Sequence, residues 1–281
     1  MSKPSTEKSK QDSPIQLVMH PLVPRLLHVA GLETLTPSMR RITLAGLAPE
    51  APFPFTPMAT SDHVKLVFPE TESGEIHLPT VVDDRLAMPE GRPRPIFRDY
   101  TVRSHDGDAG TLDIDFVLHR HGPAGLWAIG AQLGDTLGVL GPRGSHIYPS
   151  GFDQYLIAGD ETAVPAMARW LEELPRGAQA TVLVSVAALA EQPVLPHRVG
   201  ATITFLDRSV HGAGVLASAF ASVVPVPGRL FVWAAGEAGS LKPIRRHVRE
   251  VLQLPPSHVD IDGYWKLGVA GLDHHEQDSD D

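Results

Sequence analysis

The sequence predicts two joined folds, a six-stranded antiparallel barrel followed by a parallel doubly wound α/β sheet. Three observations carry this. Between about residues 16 and 145, short runs rich in β-branched and aromatic residues are bounded by Gly, Pro, Asp or Ser. After Pro149, short apolar runs alternate with stretches at helical spacing. At 281 residues, the chain is long enough for two medium-sized domains. The expected layout is a loose tail over 1–15, the barrel over 16–150, the α/β unit over 151–271 and an acidic tail over 272–281.

The barrel strands fall at 26–35, 41–45, 62–68, 97–103, 111–119 and 135–140. The run 111–119 alternates most regularly, with Leu112, Ile114, Phe116 and Leu118 to one side and Asp113, Asp115, Val117 and His119 to the other. Residues 70–96 hold four prolines and little pattern, so they read as an excursion over one barrel mouth. In the second half, strands are expected at 155–158, 181–186, 202–206, 230–234 and 259–264. The helices between them carry Val164, Met167, Ala168, Leu171 and Leu174, then Leu216, Phe220, Val223 and Val224, then Ile244, Val248 and Val251 on their inner faces. Sheets of this kind bind ligands where strands end and helices begin. Gly159-Asp160-Glu161-Thr162, Asp207-Arg208-Ser209 and Ala235-Gly236-Glu237 stand at those places.

Composition removes several function classes. A net charge of −9 opposes a nucleic acid as the main partner. With no cysteine, the chain has no disulfide, thiolate-ligated zinc, cysteine nucleophile or cysteine-ligated iron–sulfur cluster, so any electrons it moves need an organic carrier. No apolar run approaches the roughly 20 residues that span a bilayer, and the first residues are polar, so a cytoplasmic protein without membrane insertion is expected. The His274-His275 pair reads as part of a solvated tail.

Four constellations carry possible chemistry. Arg98-Asp99-Tyr100-Thr101-Val102-Arg103 offers a cation for a phosphate, an aromatic face for a flat ring and a hydroxyl one residue on, or else is an ordinary amphipathic strand. His119 to Ala128 leaves a strand and opens a helix. The helix start is either a pyrophosphate seat or a simple cap with Trp127 in the core. The loose G-x-G-x-x-A match at Gly212 follows the third strand of its unit rather than the first, so a flexible turn explains it. Lys242, Arg245, Arg246 and Arg249 form a basic helix face, while Lys65, Arg143 and Lys266 read singly as surface charges.

Together, these pieces resemble the siderophore-interacting proteins, flavin-dependent ferric-siderophore reductases of the ferredoxin-reductase-like superfamily. The matching residues are Val64-Lys65-Leu66-Val67-Phe68-Pro69, Tyr100-Thr101-Val102-Arg103, Val117-Leu118-His119 with Gly122-Pro123-Ala124 and Trp127-Ala128, Gly141-Pro142-Arg143-Gly144-Ser145, Gly159-Asp160-Glu161-Thr162-Ala163, Ala235-Gly236-Glu237-Ala238, Arg245-Arg246-His247 and Gly263-Tyr264-Trp265. They keep the family's order over about residues 24 to 268. The resemblance implies FAD in the barrel, with Arg98 on its pyrophosphate, Tyr100 on the isoalloxazine, Thr101 near N5, and Val102, His119, Gly122, Pro123, Ala124 and Trp127 completing the site. It implies that Asp160, Glu161, Thr162 and Ala163 lie between flavin and nicotinamide, with Gly236 and Glu237 closing the pocket. NADPH is the implied donor. NADH stays open, because the turn after the second sheet strand has no cation for a 2′-phosphate and Arg208 and Arg245 are the candidates. The implied substrate is an anionic, catecholate-type ferric siderophore met by Lys65, Arg143, Arg246 and Lys266, on a monomer, with no metal of its own.

Overall fold

The computed structural model describes residues 15 to 269 apart from 71, 72, 89 and 93. The expected tails, with the exception of Ile15 and with the His274-His275 pair included, lie outside the described residues. The first half runs β1 (Gln16–Met19), β2 (Pro24–Thr36), β3 (Met39–Ala45), β4 (His63–Phe68), β5 (Thr80–Val82), β6 (Arg85–Ala87), β7 (Ile96–Asp106), β8 (Thr111–Val117), α1 (Pro123–Gly130), β9 (Thr136–Leu140) and β10 (Gly144–Ile147). Strands β2, β3, β8, β7, β4 and β9 close in that order into a barrel whose neighbours are all antiparallel.

Alternation along the strands fills the barrel. Leu112, Ile114 and Phe116 of β8 point inward beside Leu44, Leu66, Val102 and Val139. Asp115, on the opposite side of the same strand, is buried as well, and the Arg41 guanidinium from β3 grips it at 2.7 and 2.9 Å. The neighbouring strand supplies what a buried carboxylate requires.

The second half runs β11 (Gln154–Gly159), α2 (Val164–Glu173), β12 (Gln179–Val186), β13 (Ala201–Asp207), α3 (Arg208–His211), α4 (Val215–Ser222), β14 (Leu230–Glu237), α5 (Ala238–His247) and β15 (Val259–Trp265). Its five strands are parallel in the order β13, β12, β11, β14, β15, so the winding reverses between β11 and β14. One face packs Ile157, Val184 and Trp233 under α2, and the other packs Leu156, Leu183 and Val232 under α4 and α5.

Four local expectations change. Strands β1 and β10 pair with each other outside the barrel, and β5 and β6 form a hairpin within the excursion. The hairpin turn is Asp83-Asp84, with φ of 49° and 59°, a two-residue loop built without the glycine that usually announces one. Helix α4 stops at Ser222, leaving Val224 85% exposed. After α5, the chain loosens into a π turn over Val248–Leu252, which rotates Val251 outward.

The two halves share polar and apolar contacts. The Tyr148 hydroxyl donates to Asp260 Oδ2 (2.5 Å), accepts from Trp233 Nε1 (3.3 Å) and bonds Ser61 (2.6 Å). Arg169 Nη2 donates to the Thr56 carbonyl (3.1 Å), Glu173 accepts the Met58 N–H (2.5 Å), and Arg103 pairs with Glu172 (2.6 Å).

Candidate functional site

Strand β7 is placed by β4, with His63 opposite Thr101, Val64 opposite Tyr100 and Leu66 opposite Arg98. Alternation puts Arg98, Tyr100 and Val102 on one face and Thr101 on the other. The Tyr100 ring lies 4.4 Å from that of Phe116. Trp127 of α1 stands 5.7 Å from Phe68 and 5.8 Å from Phe116, which makes a continuous aromatic wall. Burial pushes the Tyr100 hydroxyl well above its ordinary pKa, with the Arg98 charge opposing. Val102 is fully buried in the barrel core, so its side chain serves the fold.

Where β8 ends, His119 is exposed, and the chain turns through Gly122 (φ 87°) into α1. The helix has no side-chain cap, no acidic residue in its first turn, and Pro123 at its start. A Cβ on Gly125 would lie 2.2 Å from the His119 carbonyl oxygen, so the helix start packs directly beneath His119. The free amides that follow Pro123 in its first turn have no side-chain cap competing for them.

Thr101 is 7% exposed and faces the buried Tyr264 hydroxyl of β15, which has no hydrogen bond of regular geometry among the described residues. This brings β7 of the barrel against the C-terminal ends of the sheet strands. There, glycine is required by contact. A Cβ on Gly159 would meet the Ala235 carbonyl at 2.4 Å, and one on Gly236 would meet Asp160 Oδ2 at 2.6 Å.

Asp160 is a hub at this point. Its carboxylate accepts from the Thr162 N–H (2.9 Å) and hydroxyl (2.5 Å), the Glu237 N–H (2.9 Å) and the Trp265 indole N–H (2.9 Å). Burial pushes its pKa up and these donors oppose the shift. Glu161 accepts from the Ala187 N–H (2.6 Å) and from Arg208 (2.7 Å), whose other arm reaches the Ser185 carbonyl (2.8 Å). Thr162 is thereby committed to Asp160, and Ala163 is fully buried beneath Gly159. Glu237 caps α5 through the Ser240 N–H (2.6 Å). Burial acts to raise its pKa, but backbone donors outweigh it and hold the carboxylate below the usual range.

The proposed cations are dispersed. Arg245 donates to the Ile261 carbonyl (2.8 Å), Lys65 pairs with Asp99 (2.9 Å) and Arg143 with Asp84, while Arg246 and Lys266 are exposed. Sequence reasoning gave no role to Tyr264, Trp265 or Asp62. The first two stood in a quoted motif, but their partners are more than a hundred residues away, and no local pattern marks them. Asp62 accepts from Ser145 Oγ (2.7 Å), which also bonds His20 Nε2 (2.8 Å).

An aromatic-walled barrel with an uncapped helix start and an orphaned buried hydroxyl fits a flavin dinucleotide, and the parallel sheet beside it offers a nucleotide site at its switch point. This is the architecture of flavin reductases that draw on a nicotinamide nucleotide. Residues 28–146 match the siderophore-interacting FAD-binding domain and residues 152–268 match the siderophore-interacting protein domain. The chain belongs to the siderophore-interacting protein family. It is 36% identical to an NADPH-dependent ferric-chelate reductase of Escherichia coli, over 89% of this chain and 96% of that one. It is 32% identical to the ferric vibriobactin reductase ViuB of Vibrio cholerae, over 90% and 93%. A siderophore utilization protein from T. fusca superposes with a TM-score of 0.84 at 46% identity, covering 92% of this chain and 99% of that one.

Proposed function

We propose that the protein is an FAD-dependent reductase that moves electrons from NADPH to Fe(III) in an anionic siderophore, so that iron leaves as Fe(II). The observation that carries the reading is the meeting of Thr101 with Tyr264, which brings β7, whose opposite face carries Arg98 and Tyr100, against β15, the edge strand beside β14. The ferric reductases among its relatives support the reaction, and the named donor of one of them supports NADPH. When bound, FAD supplies the exchange of a nicotinamide hydride for single electrons.

The chain's own residues position and exclude. Arg98 and the amides after Gly122, with His119, Pro123 and Ala124, hold the pyrophosphate. Tyr100 and Trp127 pack the ring system, and Thr101 offers its hydroxyl to the reactive edge. Asp160, Gly236 and Glu237 shape the nicotinamide pocket, with Arg208 or Arg245 nearest a 2′-phosphate. Lys65, Arg143, Arg246 and Lys266 attract a catecholate complex in a chain of net charge −9. No general acid or base is required. The protein acts as a monomer in the cytoplasm, on this reading.

Anaerobic turnover of the FAD-loaded protein with NADPH and a ferric tris-catecholate, with Fe(II) trapped by a chromogenic chelator, tests the reaction. Reduction no faster than that by NADPH and free FAD would sink it. Arg98→Ala is expected to weaken FAD retention about ten- to a hundredfold, the worth of one charge-assisted hydrogen bond, read by flavin absorbance after gel filtration.

A further inference from the structure

Two cations at the barrel mouth already hold carboxylates. Arg143 makes a two-pronged pair with Asp84, Nη1 to Oδ1 at 3.1 Å and Nη2 to Oδ2 at 2.5 Å, while Nη1 also donates to the His20 carbonyl (2.7 Å). Asp84 sits at the tip of the β5–β6 hairpin, which pairs with no other strand among the described residues and whose first strand is exposed at each residue. An isolated two-stranded hairpin is only marginally stable in water. The pair that tethers its tip is itself exposed, 41% on Arg143 and 63% on Asp84, which makes it weak and exchangeable.

The place matters as much as the pair. Arg143 lies three residues beyond Leu140, which pairs with Lys65, and a Cβ on the intervening Gly141 would stand 3.9 Å from the carbonyl of His63, the partner of Thr101. The Asp84 carboxylate therefore occupies a cation at the same end of the barrel as the hydroxyl facing the sheet.

Resting on the reductase reading above, we propose that Asp84 is an internal competitor that sets substrate specificity by charge: an incoming ferric chelate reaches Arg143 by displacing the hairpin tip, and a multiply anionic chelate does so better than a neutral one. A trianion outbids a single carboxylate for one guanidinium, whereas a neutral complex gains nothing from the exchange. Specificity here is a difference of affinities created by an opposing contact.

The test uses the FAD-loaded full chain. Asp84→Asn is expected to lower KM for a ferric tris-catecholate roughly two- to fivefold, the range an exposed ion pair commands, and to leave KM for a neutral ferric trihydroxamate unchanged. Binding of the redox-inert Ga(III) tris-catecholate, followed by tryptophan fluorescence, should tighten by the same factor. Asp83→Asn removes an equal charge from the same turn without touching the Arg143 pair and should do neither. On an Arg143→Gln background, Asp84→Asn should bring no further gain. Equal shifts for both chelates, no shift for either, or an equal effect of Asp83→Asn would overturn the proposal. The same contrast is read on ferricyanide against a neutral quinone, acceptors open to any flavin reductase. A charge contrast there, in a protein that reduces neither siderophore, supports the gate and refutes the siderophore reading. Siderophore reduction without any contrast does the reverse.

Discussion

Asp62→Asn is expected to stabilise the protein increasingly as pH rises, by about 3 kcal/mol more at pH 8 than at pH 5. Asp62 is 3% exposed, and burial pushes its carboxyl from 3.8 up to about 7, with the Ser145 hydroxyl and the Arg169 charge opposing and Glu173 adding to the rise. His20 reaches it only through Ser145. The folded carboxyl thus holds its proton more tightly than the unfolded chain does. Its contribution is full below about pH 3.8, shrinks as pH rises, and levels off above about 7. Each unit between those limits is worth about 1.4 kcal/mol, so roughly two units lie between pH 5 and the upper limit. An asparagine keeps an acceptor for Ser145 and never ionises. Urea unfolding of both proteins at the two pH values measures the difference, and a gap that stays constant with pH would refute the assignment.

Gly236→Ala is expected to cost about 3 to 5 kcal/mol and to abolish nicotinamide nucleotide binding. Two penalties combine. The position has φ of 142°, which is strained for any residue with a Cβ, and that Cβ would sit 2.6 Å from Asp160 Oδ2. The carboxylate has no room to yield, since four donors from Thr162, Glu237 and Trp265 fix it. Moving it would leave buried donors unpaired at about 1 to 3 kcal/mol each. Gly212→Ala is the matching control. It also has positive φ, at 77°, but nothing lies within 4 Å of the added methyl, so only the backbone term of about 1 kcal/mol remains. Chemical denaturation and nucleotide-induced fluorescence changes separate the two. Equal losses at both positions would show that contact with Asp160 is irrelevant.

The fold was legible because its signals are local. Alternation in β8, the apolar runs of β11 and β14 and the helical spacing in α2 all name their elements without outside help. Strand β1 and the β5–β6 hairpin escaped because neither has an inward face to generate a pattern. The π turn after α5 escaped because it changes helical phase without changing composition. At the site, the run from Arg98 to Arg103 and the turn at Gly122 were visible as residue types. What the sequence could not display was which charges neutralise each other: Glu161 with Arg208, Arg143 with Asp84, and Arg103 with Glu172 are 47, 59 and 69 residues apart.

The Tyr148 contacts bear on modularity. A single apolar cluster takes in Met39 and Met58 from the barrel side together with Tyr148, Trp170 and Trp233 from around the sheet. Cutting the chain near residue 150 would take Tyr148, Met39 and Met58 away from Trp170 and Trp233 and strand the Asp260 carboxylate without its tyrosine, so the two halves are not expected to behave as interchangeable cassettes. The β5–β6 hairpin that carries Asp84 contributes no residue to that shared interior, so a change of its length or charge is expected to leave the joint between the halves intact.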